Sequence, residues 1–154
     1  MLTRNRLRRR LAASALVALV PVSAMHLASR VPAARAVART VWDSVYTAAQ
    51  AATGEAAYSK TCARCHGASL SGGDESPPLT GSAFLGNWNG LPLSDLQTRI
   101  RTTMPTDSVG IYERQLITDV MAFLLKANGF PAGSVDLPQD IEPLKEIMMQ
   151  SSRP

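Results

Sequence analysis

Two thiols and an imidazole stand within five residues at Cys62-Ala63-Arg64-Cys65-His66, and these are the only cysteines in a chain of 154 residues that has just 2 histidines. Cysteines three apart at the end of a helical turn can each add S–H across one of the two vinyl groups on a haem edge. Two thioether bonds form, and the adjacent imidazole is left beneath the iron as an axial ligand. The spacing therefore predicts one haem held covalently through Cys62 and Cys65, with His66 on the metal. Two other chemistries use parts of the same pattern. A thiol redox pair also needs C-x-x-C, but in a βαβ setting, and no alternating, strand-like run lies near these residues. A zinc site wants about four ligands, whereas the chain beyond Ala38 holds two Cys and one His.

Residues 1–38 read as a segment apart from the fold. Arg4, Arg6, Arg8, Arg9 and Arg10 form a basic start, and Leu11 to Val20 is an apolar stretch closed by Pro21. Small-residue patterns at Val22-Ser23-Ala24, Ala34-Arg35-Ala36 and Ala36-Val37-Ala38 offer three cleavage sites. This is the plan of a secretory leader. The alternative is an uncleaved membrane anchor, against which the apolar run falls short of the roughly 18 residues a spanning helix needs. Either reading predicts export.

The full chain carries a net charge of +4, but beyond Ala38 nine basic residues stand against twelve acidic ones, a net charge of −3. A basic surface for nucleic acid is not supported, and an electrostatic docking partner would present positive charge. About 116 residues remain, one domain's length. They hold eight aromatics. With both thiols on haem there is no disulfide framework, so stability must come from packing around a large, flat, apolar cofactor.

The elements that must position the motif can be read on either side of it. Thr47-Ala48-Ala49-Gln50 is a capping box, and the Ala-rich stretch through Lys60 favours a helix leading into the cysteines. Gly54 interrupts it; with Tyr58 on the same face four residues on, it predicts the close approach of another helix. Gly67 to Gly90, punctuated by Gly72-Gly73 and Pro77-Pro78, reads as one long loop around the haem edge. Ser94-Asp95-Leu96-Gln97 is a second capping box, opening a short helix that must stop before Met104-Pro105. A further helix runs from about Glu113 to Ala127 with a broad apolar face, closed by Asn128-Gly129 and Pro131. From Pro138 onward, Ile141, Leu144, Ile147 and Met148 stand at helical spacing, predicting an amphipathic helix folded back on the domain.

Taken in order, these features resemble a class I c-type cytochrome over roughly Val45 to Gly129. The resemblance implies an all-α cytochrome c fold: three main helices plus loops wrapped around one covalently bound haem, here with a short C-terminal helical extension. The domains would be a leader at 1–38, a cytochrome c domain at 39–130 and an extension at 131–154. It further implies that the closing helix crosses the first, so that Gly54 and Tyr58 meet Val120 and Phe123. Met104 would be the second axial ligand, through its thioether. Pro77-Pro78-Leu79-Thr80-Gly81 resembles a family segment whose Pro carbonyl accepts a hydrogen bond from the haem-ligating imidazole, which gives that role to Pro77. Trp88 resembles a family Trp whose indole N–H reaches a haem propionate. Two departures stand out: Glu113 replaces the usual Ser or Thr cap, and the tail is longer than a minimal cytochrome needs. The stretch Asn128 to Gly133, with Leu137-Pro138, looks like cytochromes that accompany quinoprotein alcohol dehydrogenases.

The expected function is that of a periplasmic mono-haem carrier, not an enzyme in itself. It would move single electrons between a dehydrogenase or respiratory donor and an oxidase or other acceptor, touching a membrane only through an uncleaved leader. One rival is an electron-accepting subunit of a quinoprotein dehydrogenase, with the amphipathic tail as its docking surface. The other is a haem sensor or peroxidatic enzyme.

Overall fold

Residues 39–74 and 76–153 are described by the computed structural model; the expected leader and its candidate cleavage sites lie outside them. Thr47, in extended conformation, starts α1 (Ala48–Thr61), and its hydroxyl accepts the Gln50 N–H at 3.0 Å. The reciprocal half of the expected capping box is not made. Gln50 is buried and turns its amide elsewhere: Nε2 donates to Asp119 Oδ1 (3.2 Å) and to the Leu137 carbonyl (3.0 Å), and Oε1 accepts the Leu137 N–H (2.7 Å). One side chain thus ties α1 to the closing helix α5 (Arg114–Ala127) and to the tail.

The crossing of α1 and α5 depends on Gly54. A Cβ there would sit 1.8 Å from the Asp119 carbonyl oxygen and 2.9 Å from the Val120 nitrogen, so the two backbones meet where no side chain fits. One turn on, Tyr58 packs against Phe123 with ring centroids 5.4 Å apart. Both contacts are those implied by the family resemblance. The apolar face of α5 supplies the largest share of the core, including Ile117, Met121, Leu124 and Leu125. Glu113 does stand at its N-cap without a side-chain bond.

Between α1 and α5 the chain departs from expectation twice. After the short α2 (Ala63–His66), the supposed long loop contains a helix, α3 (Gly81–Trp88). Gly81 and Gly90, both at positive φ, mark its ends rather than a continuous loop, and Phe84 is buried from its inner face. The next helix, α4 (Leu93–Thr103), begins two residues earlier than the Ser94 capping box allows, with Pro92 as N-cap. Pro presets an extended start here, and Ser94 is buried inside the first turn instead. Met104 ends the helix as its C-cap.

The tail is a different object from the single amphipathic helix expected. Only α6 (Ile141–Lys145) is helical; Ile147–Met148 then form β2, which pairs in parallel with β1 (Arg39–Thr40). The backbone changes period after Lys145, so Met149 rather than Met148 joins Leu144 and Ile147 in the core. Met149 also exchanges backbone hydrogen bonds with Gly90 and Leu91, each 2.8 Å. At the other end of the tail, Tyr46 Oη donates to the Phe130 carbonyl (2.7 Å). The apolar face offered in sequence as a docking surface therefore faces the domain's own core. Among the described residues no helix is long and apolar enough to cross a membrane.

Candidate functional site

His66 closes α2, which grows directly out of the end of α1: the Cys65 and His66 N–H groups both donate to the Cys62 carbonyl, at 3.1 and 3.0 Å. This tight turn sets Cys62, Cys65 and His66 along one wall. The imidazole is buried, and its Nδ1 lies 2.9 Å from the Pro77 carbonyl oxygen. A carbonyl only accepts, so Nδ1 carries the proton and Nε2 is left with a free lone pair. Among the described residues Nε2 has no hydrogen-bond partner, as a metal-ligating nitrogen requires.

Gly72 makes the Pro77 contact possible. At φ +76° it adopts a conformation that suits glycine, and a Cβ there would fall 2.4 Å from the Ser76 oxygen and 2.8 Å from the Pro77 carbonyl carbon. The chain can double back over the imidazole only with hydrogen at that position. Tyr58 supports the same turn from below, its hydroxyl donating to the Gly67 carbonyl at 2.7 Å. Burial, with a smaller contribution from Cys62, pushes the Tyr58 pKa up to about 12 and keeps that donor protonated.

Cys62 is half-buried and Cys65 exposed, and the two are not joined by a disulfide. Burial raises the Cys62 pKa, against the pull of the Thr61 hydroxyl at 3.2 Å and of the Arg64 charge. No three His, Cys, Asp or Glu side chains cluster as a bare-ion site among the described residues. Among the described residues the zinc alternative therefore finds no donor set, and no βαβ unit of the kind a thiol redox pair needs is formed.

Cys62, Cys65, His66, Pro77, Trp88 and Met104 all line a single cavity of about 620 Å³. Much of its remaining wall is apolar, built from Leu79 and Phe84, from Leu96 and Ile100 on α4, and from Leu116, Val120 and Leu124 on α5. The volume lies within the roughly 300–1,000 Å³ of small-ligand sites. Two thiols and an imidazole on one element, a thioether reached from another, and an apolar wall suit the donor set of a covalently held haem. Trp88 is half-buried against Phe84, ring centroids 6.4 Å apart, and its indole N–H has no hydrogen-bond partner among the described residues. Sequence reasoning missed Arg99, which lines the same cavity from α4 and makes no salt bridge among the described residues. No local spacing marks it: Met104 lies five residues on, about 140° round a helix, so only the fold brings the two to one cavity.

Residues 49–124 match the family model for cytochrome c oxidase, cbb3-type, subunit III. No curated protein matches the chain. Among solved structures, the sulfane dehydrogenase SoxCD from Paracoccus pantotrophus is similar at 23% identity and a TM-score of 0.46, over 70% of this chain and 61% of that one.

Proposed function

The chain is a class I c-type cytochrome with that family's all-α fold, and from this premise we propose that it is an exported, mono-haem carrier of single electrons between redox proteins. The observation that carries the reading is the convergence on one cavity of both thiols, an imidazole whose Nδ1 is held by a carbonyl, and a methionine thioether. Haem bound there supplies a one-electron iron couple.

The protein's own residues decide what that couple can be used for. Cys62 and Cys65 would each give up S–H to a vinyl group, the sulfur bonding one vinyl carbon and the hydrogen the other, which makes the cofactor permanent. The Pro77 carbonyl fixes the His66 tautomer and ring orientation, so Nε2 is presented as the proximal ligand. Met104 would occupy the remaining axial position. With His66 and Met104 both holding the metal, no position would be left for a substrate, which favours carrier over sensor or peroxidatic enzyme. The apolar part of the wall suits the faces of a flat apolar cofactor, and the indole N–H of Trp88 and the guanidinium of Arg99 are free to meet carboxylate groups at its edge. Export to the periplasm rests on the basic and apolar leader pattern of residues 1–38.

Partners follow from the same chemistry: a dehydrogenase or respiratory donor on one side and an oxidase or other acceptor on the other. The decisive experiment is Met104→Ala in the holoprotein. The wild type should display the weak near-infrared sulfur-to-iron band and resist carbon monoxide when reduced, and the variant should lose the band and bind carbon monoxide rapidly. A band that survives the substitution would refute Met104 as ligand.

A further inference from the structure

Arg64 lies between the two cysteines, and Asp107 lies three residues past Met104. One guanidinium nitrogen of Arg64 donates to both carboxylate oxygens of Asp107, at 2.9 and 2.7 Å. From Met104 to Tyr112, this is the sole side-chain hydrogen bond made by the loop among the described residues. The Met104 N–H continues the α4 ladder to Ile100, and the Ser108 N–H bonds back to Pro105 within the loop itself. The segment that carries the methionine is therefore joined by hydrogen bonding to the opposite side of the cavity at one place, the turn that carries His66.

We propose that Arg64 and Asp107 form a latch that holds the Met104 loop against the haem-attachment turn and so sets how often the methionine thioether leaves the iron. The inference rests on Met104 being the sixth ligand. Both side chains are more than half exposed, 54% and 56%, so the pair is weak and open to screening by salt. A weak pair suits a positioning role: it shifts the population of loop-open states without deciding whether the domain folds, because no residue from Met104 to Ile111 belongs to the buried core.

Carbon monoxide reaches reduced iron only after the thioether departs, so its association rate reads the open population. At low ionic strength Asp107→Asn holoprotein should bind carbon monoxide about two- to fivefold faster than wild type, the range exposed ion pairs give. Added salt should speed the wild type towards the variant and leave the variant unchanged. Arg64→Gln/Asp107→Asn should be no faster than Asp107→Asn alone, since either change opens the same latch. The thermal midpoint should fall by no more than the same fivefold implies, about 4 °C, and far less than that of a variant that loosens the core. Equal rates and equal salt dependence in wild type and Asp107→Asn, with the near-infrared sulfur-to-iron band present in both, would overturn the latch and leave the ligation intact. A wild type without that band would refute the ligation reading and the latch with it.

Discussion

Replacing Gly54 by Ala is the sharpest perturbation of the frame that holds the site, because the sign of its effect is contested by two known terms. Alanine is the better helix former by about 1 kcal/mol, and on propensity alone the variant would be more stable. The added Cβ, however, lands 1.8 Å from the Asp119 oxygen and 2.3 Å from its carbonyl carbon. Contacts under 3.0 Å do not occur, so α1 and α5 must separate by about 1.2 Å at their crossing. All three nearest atoms are backbone and cannot rotate away. Overpacking costs about 1–3 kcal/mol when neighbours can adjust, and here the upper end applies, leaving a net loss of about 2 kcal/mol. At about 4 °C per kcal/mol for a domain of this size, the holoprotein should melt about 8 °C lower by circular dichroism. Gly86→Ala on α3, where a Cβ meets nothing within 4 Å, is the control and should raise stability by about 0.5 kcal/mol. A Gly54→Ala protein as stable as the wild type would refute the account of the crossing.

Leu144→Ala tests whether the tail belongs to the core. Its side chain is fully buried, so the loss should be about 2–5 kcal/mol in denaturant unfolding, and an unchanged midpoint would mean that the tail is dispensable. Tyr58→Phe removes the hydroxyl bonded to Gly67 and should cost about 1 kcal/mol below pH 10. The tyrosine pKa is raised in the fold, to about 12, so the wild type's advantage is complete below the unfolded value of about 10 and is lost as pH rises from there through 12. Stability curves of the two proteins should converge over that window; parallel curves would contradict the burial of that hydroxyl.

What could be read in the sequence was what is encoded locally. The attachment motif, the Thr47 cap, the Gly54–Tyr58 face and the stop at Met104-Pro105 each depend on residues within a turn of one another, and the structure brings the six predicted site residues to one cavity. Helix α3 was hidden because the glycines that bound it look, in sequence, like the punctuation of a loop. The tail misled because Ile141, Leu144, Ile147 and Met148 fit a helical period while pairing with Arg39–Thr40 converts the last two of them to strand. Gln50 fits a capping box and a buried cross-link equally well, and only the position of Leu137 decides between them. Pairs such as Arg64 with Asp107, 43 positions apart, leave no local trace.

The most direct test of the central claim is the intact mass of the purified, denatured holoprotein, measured after extraction with acidified acetone. The pigment should remain with the polypeptide, and the mass should exceed that of the bare chain by one haem; a Cys62→Ser/Cys65→Ser protein should return to the bare mass. A wild-type chain that surrenders its pigment, or weighs no more than its amino acids, would contradict the account at its root.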